Sequence, residues 1–460
     1  MLKKYLNFKR PLTELIGKTL IGVVQTKTTL ILMFSIFSLT NCVETFDIPP
    51  EVDETVLSAT LIIEATITNE LKRQKILLSR PSNFDVVNDL DSIYDPRFPE
   101  IPKEPNFNYE ENAQVSVVDN RGNEYEFVET SPGTYLSNDN FAAEKDVPYT
   151  LNVLTDKGTS YVSSAENFSS VGQIEELYAE RDFNVDGEEG VFIYLDGGST
   201  NRSDKYYRYT YEESYKIIAP EWSEEDFVLT NYDPCALPTV TYDLEIVKRE
   251  NEEGKVCYKT DYSNTILQNS TVGLQENRAV GFPVRFLNRN NYIISHRYSI
   301  LVKQYLQSVD AYNYYRTLES FGSSENIFST VQPGLLIGNI KSENEGNAQV
   351  VGYFEVASVT EKRVYFNYED LFPEEDLPAY AVNCFPFSPP LEHPSYCYTG
   401  EINWPCPISI LEGVNVNLFA YYGENTEGIG ACPGPYLVTF RACSDCTVLG
   451  DSAIPDFWED

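Results

Sequence analysis

The chain has 460 residues, with 34 Lys+Arg against 70 Asp+Glu for a net charge of −36. That charge repels phosphate backbones and anionic headgroups, which excludes nucleic acid as a partner and excludes a basic patch as the means of membrane attachment. The length suits two or three domains. With 33 Tyr, 25 Phe and only 2 Met, and with no long Leu/Ala/Glu/Lys heptads, the composition fits pleated, half-buried surfaces, and a mainly β class is expected.

Lys3, Lys4, Lys9, Arg10, Lys18 and Lys27 make the leading segment basic, and the apolar run Leu30 to Leu39 comes after it. A basic segment, an apolar stretch of about 7–15 residues and a small-residue cleavage site form a secretory signal. The run is too short for a membrane span, which needs ~20 apolar residues. It stops at Leu39-Thr40-Asn41-Cys42, which resembles the bacterial lipobox, where the cysteine thiol is acylated and the preceding peptide bond is cut. Asn41 stands where Gly, Ala or Ser is commoner. Residues 1–41 are read as a lipoprotein signal peptide, Cys42 as the lipidation site and residues 42–53 as an acidic, Pro-containing tether. Residues 1–41 carry six basic residues and one acidic one, so residues 42–460 hold 28 Lys+Arg against 69 Asp+Glu, a net of −41. Attachment then falls to the lipid, each of whose buried methylenes contributes about 0.8 kcal/mol.

Residues 54–170 alternate like strands, in LSATLIIEATI, QKILLSR, QVSVVD, EYEFVET, TYLS, YTLNVL and TSYVSS. Turn chemistry separates them at Asn120-Arg121-Gly122-Asn123, Ser131-Pro132-Gly133 and Asp156-Lys157-Gly158. About seven short strands with turns every 8–12 residues are the pattern of an immunoglobulin-like β-sandwich. The exception is a long insertion over residues 81–112, rich in Asp, Pro and Tyr, of the kind that is usually functional or mobile.

A larger β-rich domain is expected over residues 171–460. GVFIYLDGG, KYYRYTYEESYKII, TVTYDLEIVKRE, NAQVVGYFEVASV and KRVYFNY alternate, and one short helix is expected near 308–321. Ser308 suits its N-cap, Val309, Tyr312, Tyr315 and Leu318 recur at helical spacing, and Gly322 lies just past the end. After Cys42 eight cysteines remain: Cys235, Cys257, Cys384, Cys397, Cys406, Cys432, Cys443 and Cys446. An even count in an exported chain reads as disulfides. Cys235–Cys257 is the natural isolated pair, with the other six forming a disulfide-rich C-terminal region.

Cys443-x-x-Cys446 has two other readings. A redox pair needs a helix N-terminus in a βαβ unit, and Asp445 between the sulfurs opposes a lowered thiol pKa. A zinc site needs a second close pair, which is missing. Asp182-x-Asn184-x-Asp186-Gly187 copies the first half of a calcium loop, but Ile193 stands at the twelfth position where a bidentate Glu belongs, so a hairpin turn is the expected reading. Asp89, Asp91 and Asp95 offer a similar acidic spacing. His296 and His393 are the only histidines, and no G-x-S-x-G or H-E-x-x-H occurs, so histidine-based catalysis is not expected. Carboxylate-pair chemistry remains open in a chain so rich in acids. Tyr206-Tyr207-Tyr209-Tyr211 and Tyr312-Tyr314-Tyr315 read as packing residues, with an interface role as the alternative.

Several blocks in order resemble one family, the DUF4249 lipoproteins of Bacteroidota. They are Lys205-Tyr206-Tyr207-Arg208 after Asp196, the helix with Tyr312 and Tyr314-Tyr315, Pro333-Gly334 to Gly338-Asn339-Ile340, and Gly352-Tyr353-Phe354. The closing Cys443-Ser444-Asp445-Cys446-Thr447, Gly450 and Pro455-Asp456-Phe457-Trp458 add the most specific segment, although Asp451 and Ile454 depart from the family's Gly and Lys. The family has no assigned function. It is often encoded near TonB-dependent, SusC-like transporters, so the resemblance implies a non-catalytic, surface-exposed outer-membrane lipoprotein acting as a transporter's accessory, without cofactor. A structural or adhesive envelope lipoprotein is the alternative, and a carbohydrate-active enzyme the third reading.

Overall fold

The computed structural model describes residues 60–81, 94–95, 98–102, 108–201, 203–233, 235, 241–322, 336–344, 349–392, 408–429 and 433–459. The expected signal peptide, Cys42, the tether, Asp89, Asp91, His393, Cys397, Cys406 and Cys432 lie outside them, as does the side chain of Asp95.

The alternating runs form strands because every second side chain finds a core. In chain order these are β1 (Leu61–Thr68), β2 (Lys75–Arg80), β3 (Tyr94–Asp95), β4 (Phe98–Pro102) and β5 (Asn108–Tyr109). Next come β6 (Gln114–Asp119), β7 (Glu124–Ser131), β8 (Thr134–Ser137), β9 (Tyr149–Leu154) and β10 (Ser160–Ser163). The second half adds β11 (Gln173–Phe183), β12 (Glu189–Gly198), β13 (Tyr206–Ile218), β14 (Glu225–Asp233), β15 (Thr241–Lys248) and β16 (Val256–Tyr262). It continues with β17 (Leu267–Ser270), β18 (Arg278–Asn288), β19 (Arg297–Leu306), helix α1 (Val309–Gly322), β20 (Ile340–Ser342) and β21 (Val350–Asn367). Helix α2 (Tyr368–Leu371), helix α3 (Ile410–Asn415), β22 (Phe419–Glu424), β23 (Tyr436–Phe440) and helix α4 (Arg441–Ser444) close the chain.

The fold is mainly β, as the composition implies. Leu61, Ile63, Val115, Val117, Tyr135, Leu151 and Val153 are buried in one core, and their partly exposed neighbours face outward, which is the period-2 pattern of the sequence. These strands run as one continuous order, β21-β1-β2-β8-β7-β6-β9-β10-β20, around that core rather than as two separately paired sheets. The insertion is partly built into it: β5 pairs with β2 through Ser79↔Tyr109 and Arg80↔Asn108. Gly133, at φ 66, lies where an added Cβ would meet Leu78 O at 2.4 Å, so the β7–β8 turn needs glycine for both conformation and space.

The sheet continues past residue 170, where a domain boundary is expected from sequence. Strand β1 pairs in parallel with β21 from Leu61↔Val350 to Thr68↔Ala357, and β21 continues through β19, β13 and β16. Residues Ser58–Asp460 accordingly form one compact unit. Asn339 draws β20 back to β21, its amide donating to Phe354 O at 2.9 Å and accepting from Phe354 N at 2.8 Å as a peptide unit would.

A second, three-stranded sheet, β11-β12-β18, shares an apolar core with β13 and β19. Glu213 joins the two layers, accepting from Arg285 at 3.0 and 3.1 Å and from the Tyr298 hydroxyl at 2.5 Å. Tyr207 and Tyr209 are 0% and 1% exposed here and Tyr211 is buried, so these three pack the core, whereas Tyr206 is partly exposed and packs on Tyr312 of the helix.

The cysteine pairing differs from expectation. Cys257 bonds to Cys446 and Cys384 to Cys443, and Cys235 is exposed without a disulfide partner among the described residues. The reason is the β14–β15 hairpin, which runs from Glu225↔Lys248 at its base to Asp233↔Thr241 near its tip. Cys235 sits at the tip and Cys257 beyond the base, about 25 Å apart at a strand's rise per residue, whereas a disulfide needs Cα atoms within about 7 Å.

The C-terminal motif becomes a clamp on sheet β16-β13-β19-β21. The two cysteines of Cys443-x-x-Cys446 have different partners, so the spacing forms neither a redox pair nor half a zinc site. Asp445 Oδ1 instead accepts from Thr447 N at 3.0 Å. Tyr258 and Asp451 exchange backbone hydrogen bonds along edge strand β16, which shields that edge from pairing elsewhere. Arg363 lies 3.7 Å over the Phe457 ring, Trp458 packs edge-on against Tyr258, and Tyr365 Oη donates to Phe457 O at 2.5 Å.

Candidate functional site

Two places draw together the blocks by which the sequence resembles a family: a buried ion pair and, beside it, a cavity. Both are organised by helix α1. Ser308 caps it as expected, its hydroxyl accepting from Ala311 N at 3.1 Å. The buried stripe starts two residues later than the sequence suggests, at Ala311 instead of Val309. Ala311 and Tyr314 are buried with Tyr353, Tyr315 and Leu318 pack beside them, and Val309 is exposed.

Arg208, from the Lys205–Arg208 block, donates from Nη2 to Glu355 Oε2 at 2.6 Å. Glu355 also accepts from Gln307 Nε2 at 2.9 Å. The guanidinium lies between the rings of Tyr305 and Tyr315, 4.4 and 4.8 Å from their centroids. Burial opposes the charge on Arg208, but Glu355 and the two tyrosines more than offset it and hold the group well above its ordinary value. Tyr315 lies on α1 and Glu355 on β21, so this pair positions α1 on the sheet.

The cavity lies between α1, the segment before β20 and Tyr353 on β21, and has a volume of about 460 Å³. Its polar lining includes Glu166, Asp310, Asn313, Thr317 and Asn339. Gly338 and Gly352 bring the walls together: a Cβ on Gly338 would meet Gly352 O at 1.7 Å, so the backbones touch and only glycine fits. Glu166 is fixed from both ends. Its backbone exchanges hydrogen bonds with Tyr149 at 2.8 and 2.9 Å. Its Oε1 accepts from Tyr353 Oη at 3.0 Å, Asn339 Nδ2 at 3.1 Å and Ser164 Oγ at 3.4 Å. Burial nevertheless pushes this carboxyl above its ordinary range, with nearby Asp310 adding to the effect. A larger cavity of about 660 Å³ runs along β6, β7 and β9, where Glu124 and Glu126 are exposed.

A raised carboxyl gives a pH signature. The folded state holds the Glu166 proton more tightly than the unfolded chain, so this residue's contribution to stability is full below about pH 4.5 and falls as pH rises through the folded-state value. In Glu166→Gln that pH dependence is expected to vanish. Urea midpoints should shift in favour of the variant between pH 4 and pH 7, and a wild-type-to-variant difference that stays constant would show the carboxyl to be unperturbed.

The other residues singled out by sequence fall elsewhere. Asp182, Asn184 and Asp186 form the β11–β12 turn: Asn184 Oδ1 accepts from Asp186 N at 3.0 Å and Glu188 N at 2.8 Å, with Gly187 at φ 79. Among the described residues no group of three or more His, Cys, Asp or Glu could hold a metal ion. Burial, then Lys216, holds His296 below the ordinary imidazole range. Glu166 itself is missed by sequence reasoning. The available signal was indirect, since its donors Asn339 and Tyr353 stand in two of the blocks that carry the family resemblance.

Fold and site define a disulfide-clamped β scaffold that carries a carboxylate-lined cavity at the foot of helix α1. The chain belongs to the DUF4249 family, described as a domain of unknown function, whose match spans residues 45–363. The closing Cys443–Trp458 motif lies beyond that match. No curated protein matches the chain.

Proposed function

We propose that the chain is a non-catalytic lipoprotein of the bacterial outer membrane, held by a lipid on Cys42, displayed at the cell surface and acting as the accessory of a TonB-dependent transporter in Bacteroidota. The observation that carries the export reading is the pair of disulfides, Cys257–Cys446 and Cys384–Cys443, because such bonds persist in oxidising compartments. The apolar run ending at Cys42 supplies the route and the anchor. The transporter rests on the family's genomic company, and the acidic surface suits a protein that meets its partner at defined contacts rather than by general adhesion. A non-catalytic role is supported by the buried carboxylates Glu213, Glu355 and Asp226, each of which is engaged by an arginine that fixes it in the framework.

Affinity purification of the full chain from native outer membranes, with the lipid anchor intact, is expected to bring down a TonB-dependent barrel. Recovery of the chain without any barrel, in membranes where the barrel is expressed, overturns the transporter reading.

A further inference from the structure

We propose that the cavity between α1 and Glu166 binds a ligand through an alkylammonium group, carried by a free amine or by a lysine side chain of another polypeptide. The proposal deepens the binding role above and rests on it only in taking the cavity as a site. Three observations converge. Three donors meet on Oε1 of Glu166, whereas Oε2 has no hydrogen-bond donor among the described residues. Asp310, in the first turn of α1, lines the same cavity. Neither carboxylate has an arginine or lysine partner among the described residues, although Glu213, Glu355 and Asp226 in the same fold each have one. Asp119 and Asp204 also lack a basic partner but accept from neutral donors on both oxygens. Glu166, by contrast, is partly desolvated with neither a counter-charge nor a donor on Oε2 among the described residues, and that deficit is what a cation would remove.

The same geometry argues against other occupants. An anion would find the positive end of α1 already met by Asp310 and would face two carboxylates. A neutral sugar would leave both acids without a counter-charge. Calcium takes 6–8 oxygen ligands, and among the described residues no group of three acidic or other ligating side chains stands here. An ammonium brings three donors on a compact head, suited to Glu166 Oε2, Asp310 and the Asn313 amide oxygen, and its methylene arm suits the wall of Tyr314, Tyr353 and Leu336.

The test is calorimetric titration of the purified full chain in detergent, with no transporter present, so that the result bears on the cavity alone. n-Butylammonium chloride and the peptide acetyl-Gly-Lys-Gly-amide serve as probes, with cellobiose, calcium and the norleucine peptide as comparisons. Expected is binding of butylammonium that weakens roughly tenfold or more in Glu166→Gln, as loss of a charged hydrogen-bond acceptor implies, and that is also weakened in Asp310→Asn. Binding of the lysine peptide as well assigns the source to a polypeptide, and binding of the free amine alone assigns it to a small molecule. Thermal unfolding of each variant confirms that it folds, and Asp310→Asn, on the helix surface, keeps the test open if Glu166→Gln does not. Absence of amine binding by the folded wild type, affinity unchanged in both folded variants, or tighter binding of cellobiose or calcium each overturns the proposal.

Discussion

Arg208→Met is expected to destabilise the protein by about 3–5 kcal/mol, because it leaves Glu355 buried without its counter-charge. Glu355 has a side chain only 3% exposed and Arg208 one 12% exposed, so water cannot replace the lost partner at either end. The loss is larger than for the surface pairs of this chain, such as Lys248–Glu224, where both side chains are more than two-thirds exposed and solvent screens the attraction. The effect should also be local in a recognisable way. Tyr315 rests on the guanidinium and lies on α1, so the variant loosens the helix over the sheet as well as exposing the charge. The double variant Arg208→Met/Glu355→Gln is the control, since a neutral amide still accepts from Gln307 while carrying no charge. Recovery of most of the lost stability in chemical denaturation would assign the cost to the orphaned carboxylate. If the double variant is no more stable than the single one, the arginine stabilises by packing between Tyr305 and Tyr315 instead.

What could be read ahead of the structure was whatever depends on near neighbours. Strand alternation in Leu61–Thr68 or Gln114–Asp119 needs only a pleat and one apolar face, and the Ser308 cap needs only the next three residues. What could not be read depends on partners far along the chain. The parallel pairing of β1 with β21 joins residues 289 apart, and nothing local in LIIEATIT says that its neighbour lies beyond the helix. The segment around β21 reads from sequence as an alternating strand, yet Tyr353 to Val359 is buried without interruption, the mark of a strand covered on both faces. Nearness in sequence also misdirected the cysteines, because the β14–β15 hairpin carries Cys235 away from Cys257. Glu166 was unreadable for a similar reason: its character comes from Tyr353 and Asn339, which are 187 and 173 residues away.

Removing the Cys257–Cys446 bond by Cys257→Ser/Cys446→Ser is expected to lower stability by about 2–5 kcal/mol, toward the upper end for so long a loop. The bond closes 189 residues, and the Cys384–Cys443 bond closes 59 within them. Chain entropy therefore assigns the outer bond about 5 kcal/mol and the inner one about 4 kcal/mol when each is taken alone, and less together because the inner bond already shortens the outer loop. Packing gives the outer bond a second consequence. Cys257 and Cys446 are both 0% exposed, with Cys257 on edge strand β16 and Cys446 donating its backbone N–H to Gly254 O at 2.8 Å. Without the bond the C-terminal clamp is held on that edge by the contacts of Asp451 and Trp458 with Tyr258, and β16 is the first place to open. Hydrogen exchange should show Tyr258 losing protection in the double variant well before residues of the β1–β21 core such as Phe354. Because the sulfurs are buried, the native protein should resist mild reductant until denaturant is added. Rapid reduction in buffer, or a double variant with unchanged midpoint and unchanged exchange at Tyr258, would show that the clamp holds without the covalent link.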